Sequence, residues 1–452
     1  MNPQMFREYD IRGITGKDMT AADAVLIGRG VGTFLHRQGA RAITVGRDCR
    51  LTSGDYAQNL IEGLLSTGCD VVDIGVCPTP VFYFSIQHLE KDGGVMVTAS
   101  HNPPEYNGFK LCHGLDSIHG QDIQAILALI QTEDFSTGRG QLSSATIIPT
   151  YMDFVVDNIR LPHPLRVGVD AGNGTAGVVA VPIMRRLGCL VSDIYCDMDG
   201  NFPNHEADPT VADNMRDLIA LVQREKLDLG IGFDGDGDRL GVVDESGRII
   251  YGDKLMIIFA REILTRKPGA TFISEVKCSQ TLYDDIEKHG GRAIMWRTGH
   301  SLIKKKMKAE KAELAGEMSG HMFFADRFFG FDDATYAACR LLEILAATGS
   351  RISELLADVP QTVTTPEIRV DCPDEIKFHL VRKVTDHFRR HNEVIDIDGA
   401  RILFGDGWGL VRASNTQPAL VLRFEALTEK GLRENRHLVE ETLEKLRADM
   451  MT

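Results

Sequence analysis

Two short polar segments hold residue types able to move a phosphate. Residues 97–110 read Val97-Thr98-Ala99-Ser100-His101-Asn102-Pro103-Pro104-Glu105-Tyr106-Asn107-Gly108-Phe109-Lys110, an apolar run that ends by displaying one serine on a stiff polar loop. A hydroxyl is a useful covalent nucleophile only where neighbours lower the cost of its charge, and here His101 and Lys110 are the local help. Alone, a serine before Asn-Pro-Pro reads as an ordinary surface turn. The second segment, Asp234-Gly235-Asp236-Gly237-Asp238-Arg239, outweighs that reading. Its glycines accept unusual dihedrals, so a compact loop points Asp234, Asp236 and Asp238 at one place. Three hard oxygen donors suit Mg2+ or Ca2+. Arg239 beside them suits a phosphate that bridges to the metal. Serine, magnesium and arginine together suggest phosphoryl transfer through a phosphoserine.

An EF-hand is the competing metal reading, because the spacing matches its start and Glu245 falls where that motif wants a bidentate carboxylate. Arg239 occupies the position that needs glycine, and residues 240–243 form an apolar strand where a ligand loop should continue, so the EF-hand is disfavoured. A solvated acidic turn is disfavoured too, since three close carboxylates repel without a cation. Arg412-Ala413-Ser414-Asn415-Thr416-Gln417-Pro418 offers a guanidinium, hydroxyls, an amide and backbone N–H groups suited to cradling a phosphate, or else a plain turn between strands. In Gly316-Glu317-Met318-Ser319-Gly320-His321, Glu317, Ser319 and His321 can exchange hydrogen bonds with sugar hydroxyls; the bland reading is a Gly-flanked hairpin. Lys277 ends a strand and His300 opens a helix, where an anion is welcome. Tyr9-Asp10-Ile11-Arg12-Gly13 adds an early arginine. Residues 28–32, Gly-Arg-Gly-Val-Gly, miss the dinucleotide fingerprint, and no Walker A loop is present.

These loops need elements that aim them at one cleft. Three times the chain passes through β-rich segments alternating with helical patterns and then ends an apolar strand in a polar loop. The first pass has strands over 42–45, 69–74 and 94–98, and a helix capped by Thr52 or Ser53 and stopped by Gly68. The second has strands over 165–169, 190–195 and 229–233, with helices over 178–187 and 211–226. The third has helices over 255–264, 282–289 and 301–311 with strands over 271–276 and 293–296. Such sheets place ligands outside the carboxyl ends of their strands, where all three loops fall. From about 360 the pattern becomes α+β: strands, a helix over 374–391 and a final helix over 432–450. The expected domains are 1–145, 146–248, 249–360 and 361–452, each within the usual domain size.

With 452 residues, 43% hydrophobic and 25% charged, composition excludes disorder. The N-terminus has no leader pattern and no apolar run reaches membrane-spanning length, so a cytoplasmic protein is expected. Nine cysteines without a Cys-x-x-Cys pair read as reduced packing residues. A net charge of −14 argues against nucleic-acid or anionic-membrane partners and requires the basic residues that meet an anion to be concentrated at its site.

Taken together, the five motifs at 9–13, 98–103, 234–239, 316–321 and 412–416, in this order and spacing, resemble the α-D-phosphohexomutase superfamily, closest to its bacterial phosphomannomutase/phosphoglucomutase branch. The resemblance spans Tyr9 to the last helix. It implies four domains around a cleft, three of them similar mixed α/β units and the last able to rotate. It implies that Ser100 is phosphorylated and that its phosphate with Asp234, Asp236 and Asp238 holds Mg2+. Arg12, Lys110 and Arg239 would stabilise the moving phosphoryl group, with His101 in the same loop. Glu317 and Ser319 would read sugar hydroxyls, and Tyr9, Lys277, His300 and His321 would position substrate or move protons. Arg412, Ser414, Asn415 and Thr416 would grip the phosphate that is not reacting. The implied reaction interconverts hexose 1-phosphate and 6-phosphate, of mannose or glucose, through a 1,6-bisphosphosugar that also primes the enzyme. Phosphoglucosamine mutase is the second reading, a magnesium-dependent phosphosugar phosphatase the third, and an idle phosphosugar binder the fourth.

Overall fold

The computed structural model describes residues 1–415 and 417–451, so Thr416 lies outside the described residues. Four β-sheets follow one another along the chain. In the first, Gly93–Val97, Ala42–Arg47 and Asp70–Val76 lie side by side and parallel, and Tyr106–His113 returns antiparallel to Gly93–Val97. The second repeats this order with Leu229–Phe233, Arg166–Asp170 and Leu190–Ile194 parallel and Leu240–Asp244 returning. The third repeats it again with Leu314–Gly316, Thr271–Glu275, Arg292–Trp296 and the returning strand Met322–Phe324.

The three loops singled out above therefore occupy one topological position. Each turns from the third parallel strand into the antiparallel strand beside it. Gly93–Val97, Leu229–Phe233 and Leu314–Gly316 are buried along their whole length. That is why they read as continuous apolar or small-residue runs rather than as alternating ones. A strand locked on both faces delivers its following loop rigidly, and the polar residues begin where the layer ends.

The fourth sheet, six strands that pair antiparallel, packs against the helices Asp374–Phe388 and Glu429–Met451 around its own apolar core. The first sheet also has a separate core, whereas one continuous core joins the second and third sheets to helix Thr79–His88. Among the described residues no helix is long and apolar enough to cross a membrane.

Local differences from the sequence reading have simple causes. Gly28, Gly30 and Gly32 lie inside helix Ala21–Arg37, which the sequence reading left unassigned. A Cβ on Gly28 would come within 2.3 Å of Leu60 O, and one on Gly63 within 2.2 Å of Val25 O. The glycines thus let this helix lie against Ser53–Ser66 almost backbone to backbone. Thr52 is the residue before that helix but makes no side-chain cap: its hydroxyl accepts from Asn107 Nδ2 at 2.9 Å, while the Ser53 hydroxyl donates to Asp48 Oδ1 at 2.5 Å. The helix expected over 211–226 starts as a 3-10 turn, Ala212–Met215, and is α-helical only over Arg216–Glu225.

Candidate active site

Ser100 stands at the end of the first sheet with φ +52°, in the left-handed region that a residue with a Cβ enters at a cost of about 1 kcal/mol or more. It is 3% exposed. Its Oγ donates to Asp234 Oδ2 at 2.8 Å and lies 3.2 Å from His101 Nδ1. Burial and the neighbouring Arg239 and Arg12 hold His101 well below the usual histidine range, so it is a neutral ring beside the hydroxyl. Arg12 reaches the same loop by donating to Asn102 Oδ1 at 2.5 Å and is paired with Asp10.

The aspartate loop faces Ser100 from the second sheet. Asp234 Oδ1 accepts the amides of Asp238 and Arg239 at 3.0 and 3.1 Å, which folds the loop around that carboxylate. Thr79 Oγ1 donates to Asp236 Oδ2 at 2.6 Å, and Lys110 Nζ donates to Asp236 Oδ2 at 2.6 Å and to Asp238 Oδ2. Burial, then repulsion from Asp238 and Asp236, pushes Asp234 well above the usual carboxylate range. Although burial opposes its charge, Asp238 is held below that range by Lys110 and His321.

The donor set fits a hard divalent cation. One oxygen from each of the three aspartates lies within 4.8 Å of the others, all three residues are buried, and Asp236 Oδ1 has no hydrogen-bond partner. A buried carboxylate oxygen without a partner is costly unless something charged meets it. The raised Asp234 shows the same shortage of positive charge. All the donors are oxygens, as Mg2+ requires.

The third sheet closes the site from the other side. His321 Nε2 lies 3.1 Å from Asp238 Oδ1 and its Nδ1 2.8 Å from Glu317 Oε2, and these two carboxylates raise it to about 10 against the effect of burial. A chain of carboxylate, imidazolium and carboxylate thus ties the sugar-reading loop to the metal loop. Backbone bonds reinforce it: Leu240 N donates to Gly320 O at 3.0 Å. Ser319 Oγ donates to Glu317 Oε2 at 3.2 Å, and Glu317 Oε1 accepts the Gly299 amide at 2.7 Å. Burial and the nearby Lys304 and Lys110 keep His300 neutral, its Nδ1 is buried without a hydrogen-bond partner, and its ring is 5.8 Å from that of His321.

Tyr9, from the first unit, bonds to both the third and the last. The Tyr9 hydroxyl donates to Thr298 O at 2.9 Å and accepts from Asn415 Nδ2 at 2.7 Å. Arg412 Nε donates to Asp398 Oδ2 at 3.0 Å, and the Ser414 hydroxyl accepts the Gln417 amide at 3.1 Å. Lys277 Nζ pairs with Glu367 Oε2 at 3.2 Å. These contacts link the residues selected from the sequence on the first three units, and Arg412 and Asn415 join them through Asp398 and Tyr9, while Ser414 is bonded to Gln417 within its own loop.

Several residues in it escaped the sequence reading. Thr79 holds Asp236 from a helix N-terminus. Glu275 receives the Lys277 amide and the Thr298 hydroxyl at 2.9 Å each. Asp398 joins Arg412 to the Thr298 amide, and Lys377 Nζ donates to the carbonyls of Ser414 and Gln417 at 2.5 and 3.0 Å. Glu275 could have been flagged by its place at a strand's carboxyl end; the others carry no local signal. Gly172-Asn173-Gly174-Thr175-Ala176-Gly177 does match the dinucleotide fingerprint between strand Arg166–Asp170 and helix Gly177–Arg186. The protein itself fills that space, since a Cβ on Gly174 would lie 2.5 Å from Gly235 O and one on Gly177 2.3 Å from Cys196 O.

Three like α/β units and an antiparallel fourth, each contributing a loop to one charged cluster, define an enzyme of the phosphohexomutase type. Models of the phosphoglucomutase/phosphomannomutase α/β/α domains I, II and III match residues 3–137, 149–247 and 251–363, and that of the C-terminal domain matches 367–442. The chain belongs to the phosphoglucomutase/phosphomannomutase family. It is 47% identical to a phosphomannomutase/phosphoglucomutase of Pseudomonas aeruginosa over 95% of this chain and 93% of that one. It is 43% identical to a phosphoglucomutase of Neisseria gonorrhoeae over 95% of this chain and 94% of that one. A crystal structure of a family protein from Burkholderia thailandensis superposes with a TM-score of 0.93 at 42% identity, covering 98% of each chain.

Proposed function

We propose that this protein interconverts hexose 1-phosphates and hexose 6-phosphates, of mannose, glucose or both, through phosphorylated Ser100 and a 1,6-bisphosphosugar. The observation that carries this reading is the Ser100 hydroxyl, buried and 2.8 Å from one member of a three-aspartate cluster. A relative named for both sugars and one named for glucose alone support the substrate class.

In the forward half-reaction a sugar hydroxyl oxygen attacks the phosphorus carried by Ser100. The new O–P bond forms as the bond to Ser100 Oγ breaks, the sugar hydroxyl proton leaves to a base, and the departing Ser100 Oγ takes up a proton so that the serine hydroxyl forms again. His300, neutral and with Nδ1 unpartnered, would accept the sugar proton. His321, already engaged by two carboxylates, orients Glu317 toward sugar hydroxyls. Arg12, Arg239 and Lys110 supply positive charge around the transferring group. Asp234, Asp236 and Asp238 would hold Mg2+ together with the Ser100 phosphate, and the ion when bound neutralises charge on the phosphate oxygens. Arg412, Ser414, Asn415 and Thr416 would hold the spectator phosphate, and the bisphosphate, turned end for end, returns its other phosphate to Ser100. Hexose 1,6-bisphosphate serves as primer. The domains 1–145, 146–248, 249–360 and 361–452 and a cytoplasmic location belong to the same reading.

Phosphorus NMR of the purified protein with Mg2+, mannose 1-phosphate or glucose 1-phosphate and a trace of the bisphosphate tests it. The 6-phosphate is expected. Release of inorganic phosphate alone would replace the reading with a phosphatase.

A further inference from the structure

Behind the Ser100 loop lies a residue that touches no reacting group in the scheme above. Arg50, in the loop between strand Ala42–Arg47 and helix Ser53–Ser66, has a side chain that is 0% exposed. Its Nε donates to Asp48 Oδ2 at 3.1 Å. Nη1 donates to Pro103 O at 2.7 Å and Tyr106 O at 3.1 Å, and Nη2 to Ser100 O at 2.8 Å and Asn102 O at 2.5 Å. All five donors of the guanidinium are therefore used, four of them on carbonyls within residues 100–106. Phe202, from the second unit, presents its ring face to the guanidinium 5.0 Å away. Asp48 is fixed in turn by the Arg50 amide at 3.0 Å and the Ser53 hydroxyl.

We infer that Arg50 is the positioning residue that holds the phosphate-carrying serine in its reactive conformation. Four carbonyls drawn to one buried cation turn the loop's acceptors inward and leave the opposite side of the chain for the Ser100 hydroxyl. Pulling back Ser100 O also imposes the left-handed turn at that residue, which the chain would otherwise leave. Only a planar fork with five donors spans this set. An ammonium has three donors on one atom and cannot reach carbonyls spread over seven residues while keeping Asp48. The inference rests on the reading of Ser100 as the phosphoryl carrier.

The test is Arg50→Lys, which keeps the charge beside Asp48 but loses the fork. Folding is checked by thermal melting, and active sites are counted by the phosphate that Ser100 takes up from hexose 1,6-bisphosphate. Expected is a kcat per folded molecule about 100-fold lower, with KM for hexose 1-phosphate within about threefold, because the sugar and spectator-phosphate contacts lie on other units. Slower phosphorylation of Ser100 should accompany it. A wild-type kcat, or a matched change in kcat and KM, would overturn the inference. If Arg50→Lys does not fold, Phe202→Leu takes its place by removing only the ring beneath the guanidinium. A several-fold fall in kcat at constant KM then supports the role, and an unchanged kcat overturns it. Wild-type protein without mutase turnover would instead break the functional reading, so the two failures are distinguishable.

Discussion

The Ser100 loop and the aspartate loop occupy the same turn of successive sheets yet are stabilised in opposite ways. The first is held by a resident cation gathering its carbonyls, so its geometry is complete within the protein. The second is folded by amides donating inward to Asp234 and by Thr175 N donating to Gly235 O at 3.0 Å, and it leaves Asp234 raised above the usual carboxylate range and Asp236 Oδ1 without a hydrogen-bond partner. One loop is limited by position, the other by charge. A shared topology thus accommodates both demands, because a buried strand anchors the loop and only the polar residues after it differ.

This contrast can be broken in graded steps. Ser100→Ala should lower kcat by about 10,000-fold or more, as loss of a covalent nucleophile does, with the melting temperature unchanged; residual mutase activity near wild type would remove Ser100 from its role. Asp236→Asn, or chelation of Mg2+, should lower activity by about 100- to 1,000-fold, and added Mg2+ should rescue the chelated wild type but not the variant at the same concentration. Arg412→Ala should act on affinity, raising KM about 30-fold for the loss of a charge-assisted pair worth about 2 kcal/mol, with kcat less affected; steady-state kinetics reads the split. The smallest effect belongs to Gly174→Ala. A methyl 2.5 Å from Gly235 O must push the aspartate loop, costing about 1–3 kcal/mol by overpacking and weakening Mg2+ about tenfold, measured by calorimetric melting and metal titration. If Gly174→Ala instead altered Ser100 phosphorylation with unchanged metal affinity, the two loops would not be separable as argued.

Much of this site was legible in the sequence because its chemistry sits in short contiguous loops. The serine, the alternating aspartates and the Gly316–His321 segment each carry their own residue types side by side, and the apolar strands before them set their common location. The repeated strand order was legible only as a rhythm; the pairing that makes the three units equivalent depends on long-range register. Helix Ala21–Arg37 was hidden because its glycines lower helix propensity and serve a close helix contact that local sequence does not reveal. Thr79, Asp398, Lys377 and Arg50 were hidden for a related reason. Each acts on a loop far away in sequence, and an isolated threonine or arginine looks the same whether it faces water or a carbonyl.

The left-handed backbone at Ser100 has a consequence outside catalysis. Glycine adopts that turn without steric strain, a relief of about 1 kcal/mol that offsets the lost bond from the Ser100 hydroxyl to Asp234 and glycine's greater freedom in the unfolded chain, so a Ser100→Gly chain would lose its nucleophile with little change in stability. Chaperones and proteases sort chains by how often they unfold, not by what they accomplish. A cell would therefore retain such a dead copy about as faithfully as the working one, occupying the place of an enzyme without doing its reaction.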